Sequence, residues 1–260
     1  MAEEKENFAY DPEVNYDEAT LAQQKKIEQQ IVTEQSLISE RVDFSELEDE
    51  YAKDEVFQLK IKDLKSKYAC MRKIRGDGNC FYRAFGFAYM EKLLSDPTEF
   101  KRFQAVARQS KDDLVALGFQ QFTIEDFHDT FMEVIDKVEQ NCSLEDLLQV
   151  FNDQVYSDYL VVYLRLLVSG YLQKEKDFFI NFMEGGQSVK EFCNHEVEPM
   201  SKESDHIHII ALTSAIDVPV RIEYMDRGGD NVNAHDFPEG SSPKVTLIYR
   251  PGHYDILYTL

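Results

Sequence analysis

Apolar residues recur at helical spacing along most of the chain and alternate with polar ones only towards its C-terminal end. From about residue 45 to residue 215 they return every three or four positions, which predicts helices. The last 43 residues instead contain short runs rich in β-branched and aromatic residues, which predict strands. This order predicts an α+β domain, mainly helical, with a small and mostly antiparallel C-terminal sheet. The clearest predicted helices are "IEDFHDTFMEVIDKVEQ", "SLEDLLQVF", the nearly all-apolar and therefore buried "DYLVVYLRLLVSGYL", and "SDHIHIIALTSAI"; the predicted strands are "VPVRIEYMD", "KVTLIYR" and "HYDILYT".

The N-terminal part of the chain differs from the rest because it offers little to bury. The first 50 residues include 15 acidic and 4 basic ones, a net charge of −11. The polar composition of residues 1–16 predicts disorder. A sparse row of apolar residues predicts an amphipathic helix over about residues 17–40. We therefore divide the chain into an acidic arm, residues 1–44, and a globular domain, residues 45–260. The arm's helix either docks on its own domain or orders on a partner, and the sequence favours neither alternative.

A capping-box pattern marks the predicted start of the globular domain. Ser45 and Glu48 have the spacing at which each side chain bonds the other residue's backbone N–H. Apolar residues continue at helical spacing as far as Leu64. A helix is therefore expected to open the domain.

Composition and charge exclude several classes of protein. With 43% hydrophobic residues and a net charge of −21, the chain is typical of an acidic globular protein that is long enough to bury a core. The acidity argues against a nucleic-acid partner. No segment reaches the roughly 18 consecutive apolar residues of a membrane span, and the N-terminus has no signal-peptide pattern. We expect a soluble monomer in the cytoplasm, with the nucleus as a further location.

The cysteines and the missing motifs narrow the possible chemistry. Cys70, Cys80, Cys142 and Cys193 lie far apart without a CxxC pair, so free thiols are expected, and neither a zinc module nor a dense disulfide framework is suggested. The chain has no G-x-S-x-G, P-loop, H-E-x-x-H or G-x-G-x-x-G motif. Serine hydrolase, NTPase, zinc protease and Rossmann-type functions therefore lose support.

One cysteine stands where a nucleophile would be activated. In "GDGNCFYRAFGFAYM", Cys80 begins a helix that is predicted to be apolar and therefore buried, and its N-terminal N–H groups and dipole stabilise a thiolate. Gly76 and Gly78 allow the preceding loop to turn tightly, so that its N–H groups and that of Cys80 become candidate oxyanion donors. The alternative is a buried structural cysteine after an ordinary turn. This segment alone does not distinguish the two.

A cysteine nucleophile also needs a base and a group that orients the base. His253 opens a predicted strand in "RPGHYDILY", and Asp255 follows two positions later. Because alternate side chains share one face of a strand, Asp255 is placed to hold the His253 ring and stabilise its imidazolium form. The alternative is a polar pair on an edge strand. In combination with Cys80, the pattern favours a nucleophile, base and orienting group.

The other histidines fit that role less well. His128 falls in a helical acidic segment, and His195 and His235 fall in loop-like surroundings. His206 and His208 begin a predicted helix, but no third ligand stands nearby, so helix-terminal histidines with satisfied hydrogen bonds are favoured over a metal pair.

"GDGNCFYRAFGF" and "RPGHYDILY" closely resemble the cysteine-box and histidine-box motifs of the otubains, which are ubiquitin-specific cysteine isopeptidases of the ovarian-tumour (OTU) superfamily. The likeness extends from about residue 17 onward, through "FTIEDFH", "SDYLVVYLRLL", "VKEFC", "KESDHIHIIAL" and "IEYMDRG", and the long arm resembles that of the N-terminally extended members. The resemblance implies an OTU-type cysteine protease domain and a thiol-dependent deubiquitinase. It implies Cys80 as nucleophile, His253 as general base and then acid, Asp255 as its orienting group, and Asp77 as a further residue of the oxyanion loop. It also implies a reaction that uses no metal and no cofactor.

The resemblance also implies partners. They are ubiquitin and polyubiquitin, with a preference for chains joined through lysine forty-eight of ubiquitin, and ubiquitin-charged conjugating enzymes, which the extended otubains inhibit without using their cysteine. The arm would contact the proximal ubiquitin, and "FQQFTIEDF" and "DYLVVYLRL" would contact the conjugating enzyme. A protein that acts mainly as a non-catalytic inhibitor is the alternative function. The implied contacts with the distal ubiquitin are Ile210, Tyr224, Asp226, Tyr249 and Tyr254, with core or strand packing as the alternative for each aromatic residue.

Overall fold

Six strands form one mixed sheet in the order β1-β2-β6-β5-β3-β4, in which only the β3–β5 pair is parallel. The computed structural model describes residues 35–183 and 185–260, and residues 37–260 form one compact unit. The predicted α+β class is confirmed. The strands are β1 (Ile38–Val42), β2 (Tyr68–Ile74), β3 (Val220–Tyr224), β4 (Asn233–Phe237), β5 (Val245–Arg250) and β6 (His253–Thr259); the α-helices are α1 (Ser45–Glu50), α2 (Glu55–Lys67), α3 (Cys80–Leu93), α4 (Pro97–Ala116), α5 (Gln121–Glu139), α6 (Leu144–Asn152), α7 (Gln154–Lys174), α8 (Lys176–Phe179), α9 (Val189–Phe192) and α10 (His206–Ile216), with a 3₁₀ turn at Ile180–Phe182 and a π-helical turn at Cys193–Val197.

Two helices occupy the centre of the domain. Helix α3 contacts β5 and β6 on one side and α7 on the other, and almost all of its side chains are buried. Helix α7 is enclosed in turn by α3, α5 and α10. Helices that are apolar on every face are stable only where every face is covered, so both predicted buried helices are confirmed. Within the described residues, no helix combines the length and the apolar character that a membrane span requires.

The sheet is larger than the C-terminal strands alone. The three predicted strands are confirmed as β3, β5 and β6, but β1, β2 and β4 join them. Strand β2 contains Arg72, which is buried beneath the rings of Phe87 and Tyr258, so a charged residue obscures the strand pattern. Strand β4 is a polar edge strand, and it places His235 in the sheet rather than in the predicted loop.

The C-terminal end of the predicted arm belongs to the sheet. Of the amphipathic helix expected over residues 17–40, residues 17–34 lie outside the described residues, and residues 38–40 form part of β1, so the predicted end of the helix is wrong. Ile38 is buried and pairs with Ile74, and its backbone N–H and C=O bond the side-chain amide of Asn152 at 2.9 and 3.0 Å. The apolar character of Ile38 therefore reflects sheet burial.

The predicted capping box does not form. Helix α1 begins at Ser45, whose N–H and hydroxyl both donate to Asp43, while the Glu48 carboxylate accepts from Lys65 instead. The helix ends after six residues, and α2 starts separately with Asp54 as its N-cap, accepting from the N–H of Phe57 at 3.3 Å. Asp43 accepts from the Ser45 N–H that the Glu48 side chain would bond in a capping box, and the Glu48 N–H donates to the carbonyl of Phe44.

The two hydrogen bonds between Asn152 and the backbone of Ile38 lead to a stability prediction. We expect Asn152→Ala to lower the free energy of unfolding by about 1–3 kcal/mol, because the buried N–H and C=O of Ile38 lose their partner. Asn181→Ala is the matched control, since Asn181 is exposed and bonds only carbonyls of its own turn, and it should change stability by less than about 0.5 kcal/mol. Urea unfolding followed by circular dichroism measures both values. Equal losses of unfolding free energy in the two variants would show that the bonds between Asn152 and Ile38 do not stabilise the fold.

Candidate active site

Cys80 is the first residue of α3, as the sequence predicts. It is buried, with 4% of its surface exposed, and Asn79 stands at the N-cap position before it. The side chain of Asn79 makes no capping bond to the helix, so the first N–H groups of α3 remain directed at the region of Cys80. A developing negative charge at this helix end is stabilised by those groups and by the helix dipole.

The predicted pairing of His253 and Asp255 is present. His253 opens β6, and its Nε2 atom lies 2.9 Å from Oδ1 of Asp255, the residue two positions along the same face of the strand. The opposite edge of the ring faces the cysteine loop, since a Cβ atom on Gly76 would lie 3.5 Å from His253 Nδ1. One ring nitrogen thus contacts the orienting carboxylate, and the other is directed towards the loop that precedes Cys80.

The carboxylate of Asp255 is fully buried yet charged. Its Oδ1 atom also accepts from the backbone N–H of Ile74, and its Oδ2 atom accepts from Arg250, each at 2.8 Å. Burial acts to raise the pKa of Asp255, but the hydrogen bond from His253 and the charges of His253 and Arg250 outweigh it and keep the pKa below its usual range.

The same contacts keep His253 protonated at neutral pH. Burial acts to lower the pKa of His253, but hydrogen bonds to Asp255 and Cys80, together with the charges of these two groups, raise it to about 9. An imidazolium that lies between a carboxylate and a cysteine is suited to stabilise a thiolate and to donate a proton to a leaving group.

Asp77 holds the shape of the loop before Cys80. Its Oδ1 atom accepts from the N–H of Asn79, its carboxylate also binds Arg83, both at 2.9 Å, and its own N–H donates to the carbonyl of Arg75. These bonds occupy two of the loop N–H groups that were predicted to serve as oxyanion donors. Within the part of the chain that the structure describes, the N–H groups of Gly78 and Cys80 have no assigned partner, so they are the candidate donors.

Gly78 packs directly on the backbone of a distant segment. Its φ angle is +75°, and a Cβ atom there would lie 2.4 Å from the carbonyl oxygen of Ser201. The N–H of Ser201 donates to Asn79 Oδ1 at 2.9 Å, so the two segments are joined both by contact and by a hydrogen bond. Glycine is required here for two independent reasons.

Sequence reasoning missed Arg165, which ties this region together. Arg165 is fully buried in α7 and donates to Asn79 Oδ1 and to the carbonyls of Gly78, Val197 and Lys202, at 2.7–3.0 Å. Burial lowers its pKa, and the partly compensating charges include those of Asp77 and Cys80. The sequence does carry a signal for this role, because Arg165 is the single charged residue in the otherwise apolar run "VVYLRLLV". A charge that is buried in this way requires polar partners.

The predicted ubiquitin-contact residues fall into two groups. Ile210 is 39% exposed, Asp226 is half-exposed and Tyr249 is partly buried. Tyr224 and Tyr254 are buried, and their hydroxyls bond His206 Nε2 and the Ser204 carbonyl, each at 3.0 Å, which fits the packing alternative. Their role as ubiquitin contacts stays a prediction.

Three of the remaining histidines make structural contacts. His208 Nδ1 accepts from the N–H of Asp205 at the start of α10, His206 bonds Tyr224, and His128 packs against Tyr163. Among residues 35–183 and 185–260, no three metal-ligating side chains lie close enough to hold an ion.

Comparisons with known proteins agree on one family. The model of the peptidase C65 otubain family matches residues 30–259. Human ubiquitin thioesterase OTUB1 is 62% identical over 245 residues, which are 94% of this chain and 90% of that protein; human ubiquitin thioesterase OTUB2 is 41% identical over 209 residues, 80% of this chain and 89% of that protein. Two solved complexes superpose with TM-scores of 0.87 and 0.88 at 37% and 36% identity. The first, h/ceOTUB1–ubiquitin aldehyde–UBCH5B~Ub, covers 94% of this chain and 98% of the solved one; the second, h/ceOTUB1–ubiquitin aldehyde–UBC13~Ub, covers 95% and 100%.

The contact at Gly78 leads to a testable difference between two glycines. We expect Gly78→Ala to lower the free energy of unfolding by about 1–3 kcal/mol more than Gly118→Ala, because both have positive φ but only the first would place a methyl group against backbone atoms. Gly118 has open space around its Cα and should show only the backbone cost, about 1 kcal/mol. Urea denaturation of the two variants measures the difference, and similar values would show that the loop can move away from Ser201.

Proposed function

Because the chain belongs to the peptidase C65 otubain family, we propose that it is a cysteine-type deubiquitinase that hydrolyses bonds at the C-terminal glycine of ubiquitin through Cys80, His253 and Asp255. The observation that carries the proposal is the buried His253–Asp255 pair, 2.9 Å apart, whose ring faces the loop that leads into Cys80. Relatives with 62% and 41% identity are named ubiquitin thioesterases, and two superposable structures contain ubiquitin aldehyde.

The reaction proceeds in two steps. The Cys80 thiolate attacks the carbonyl carbon of the terminal glycine, and the N–H groups of Gly78 and Cys80 bind the oxyanion that forms. Collapse of this intermediate expels the lysine amine, which takes a proton from the His253 imidazolium. His253, now neutral, removes a proton from water, which attacks the thioester and releases ubiquitin with a free carboxylate and Cys80 as leaving group. Asp255 holds the ring in place throughout.

A second function, binding and inhibition of ubiquitin-conjugating enzymes, is favoured by one exposed side chain. Phe122 lies at the start of α5, within the segment that resembles a docking surface, and is 90% exposed. The second such segment contributes little, because Leu160, Val161 and Leu164 are core residues of α7. The two superposable complexes include the charged conjugating enzymes UBCH5B~Ub and UBC13~Ub.

The preference for chains joined through lysine forty-eight and the cytoplasmic location also belong to the proposal. The linkage preference rests on the resemblance of the cysteine-box and histidine-box motifs to those of the extended otubains. The four cysteines are free thiols, which suits a reducing compartment.

The catalytic assignment predicts large and selective losses of activity. Cys80→Ser and His253→Ala should each lower kcat/KM for diubiquitin cleavage by at least about 1,000-fold, since each removes a group that acts only in the chemical steps. Cys142→Ser is the matched control and should retain cleavage. A panel of differently linked diubiquitins measures activity and linkage preference together. Unchanged cleavage by Cys80→Ser would contradict the assignment, and equal cleavage of all linkages would contradict the preference.

The docking assignment predicts that inhibition survives without the nucleophile. Cys80→Ser should still block ubiquitin transfer by a charged conjugating enzyme. Phe122→Asp should weaken binding of that enzyme by about 10-fold or more, since it places a charge at the centre of an apolar contact, whereas Phe182→Asp, at a side chain that is also exposed, should not. Removal of residues 1–34, which leaves β1 intact, should abolish inhibition. Full inhibition by the truncated protein would exclude a role for the arm.

A further inference from the structure

Arg250 is a buried cation placed between two carboxylates. Its Nη2 atom donates to Asp255 Oδ2 and its Nη1 atom donates to Glu50 Oε1, each at 2.8 Å. The side chains of Asp255 and Arg250 are 0% and 9% exposed, whereas that of Glu50 is 45% exposed. The guanidinium therefore links a carboxylate inside the active site to one at the protein surface.

Strand register fixes this arrangement. Arg250 is the last residue of β5 and pairs directly with His253, the first residue of β6, across the β5–β6 turn. The two carboxylate oxygens of Asp255 have different partners, with Oδ1 bonded to His253 and Oδ2 bonded to Arg250. The contacts run in one line from His253 through Asp255 and Arg250 to Glu50, the last residue of α1.

We propose that Arg250 is a positioning residue for the reaction, and that Glu50 at the surface sets how strongly Asp255 holds the catalytic histidine through the shared guanidinium. The inference rests on the proposed function for the roles of Cys80 and His253. According to this inference, α1 influences proton transfer by His253, although it precedes Cys80 by about 30 residues.

The direction of the influence follows from charge. Arg250 divides its positive charge between two carboxylates; its interaction with the buried Asp255 is weakly screened by solvent, whereas that with the half-exposed Glu50 is screened more. When Glu50 is neutralised, Arg250 acts on Asp255 alone, so Asp255 attracts the His253 proton less and the imidazolium deprotonates at a lower pH. When the charge of Arg250 is removed, Asp255 attracts that proton more, and the imidazolium persists to a higher pH. Among the described residues, the titratable and charged groups around His253 are Cys80, Asp255, Arg250 and the Glu203 carboxylate beside Gly252, and Arg250 is also hydrogen-bonded to the side chain of Tyr51.

A purely structural role for Arg250 predicts something different. As an anchor of α1 to the sheet, it would contribute stability, and its replacement would lower the free energy of unfolding without moving a pH profile. A control on the same helix separates the two roles, because Glu46 is exposed and pairs at 2.9 Å with Lys73, which does not contact Arg250. Glu46→Gln removes the same charge from α1 without touching the line of contacts.

The test compares pH profiles of the full-length protein. For wild type, Glu50→Gln and Glu46→Gln, kcat/KM for diubiquitin is measured from pH 6 to 10, together with the rate at which iodoacetamide alkylates Cys80, read by peptide mass spectrometry. We expect Glu50→Gln to move the alkaline limb of the kcat/KM profile down by about 0.3–0.6 pH unit, a two- to four-fold lower rate on that limb. The alkaline step of the alkylation profile, at which the thiolate loses its imidazolium partner, should move down by the same amount. Glu46→Gln should leave both profiles in place. A Glu50→Gln shift no larger than that of Glu46→Gln would overturn the proposal.

A double-mutant cycle tests the path of the influence. In an Arg250→Met background the limb should lie at higher pH and Glu50→Gln should no longer move it, since the connecting cation is gone. If Arg250→Met does not fold, Arg250→Lys serves instead, because one ammonium cannot reproduce both bonds of the fork and the Glu50→Gln shift should shrink. A full shift in either background would overturn the proposal. Absence of cleavage by wild type, with the expected shifts in Cys80 alkylation, would reject the deubiquitinase function and leave this inference standing.

Discussion

The buried carboxylate of Asp255 is the constraint on which the rest of the site depends. A charge with no solvent contact requires compensating partners, and this one receives three hydrogen bonds, from Ile74, Arg250 and His253. The donors come from β2, β5 and β6, which are neighbours in the sheet. Strand order and catalytic geometry are therefore one arrangement, because β6 must lie between β2 and β5 for the carboxylate to be satisfied on both sides.

The cysteine half of the site is held by a different set of bonds. Arg165 donates hydrogen bonds to Asn79 Oδ1 and to the carbonyl of Gly78, and Asp77 accepts one from the N–H of Asn79. The loop thus presents N–H groups rather than carbonyls where negative charge develops. The two halves meet where the His253 ring faces Gly76, at a distance that would leave a Cβ atom at position 76 in ordinary contact with the ring.

Much of this site could be predicted from local sequence, and the part that could not is non-local. The position of Cys80 at a helix N-terminus and the i, i+2 relation of His253 and Asp255 depend only on neighbouring residues, and both are confirmed. The hydrogen-bond partners of Arg165 are 32–87 residues away, and Arg250 and Glu50 are 200 residues apart, so no local pattern identifies these pairs. Strand β1 was missed for the same reason, since its five residues become a strand only by pairing with β2. The expected capping box failed because Asp43, just outside the motif, accepts from the N–H and the hydroxyl of Ser45 that the box would use.

The contact between Gly78 and the Ser201 carbonyl also limits how such a protein can change over generations. Two backbone segments more than 120 residues apart in sequence touch with no side chain between them. No single substitution at Gly78 keeps both the left-handed backbone and the contact, so the position can vary only if the segment around Ser201 moves in the same lineage. Changes in substrate preference must then arise at surfaces away from Gly78 and Ser201, while these two segments change only together.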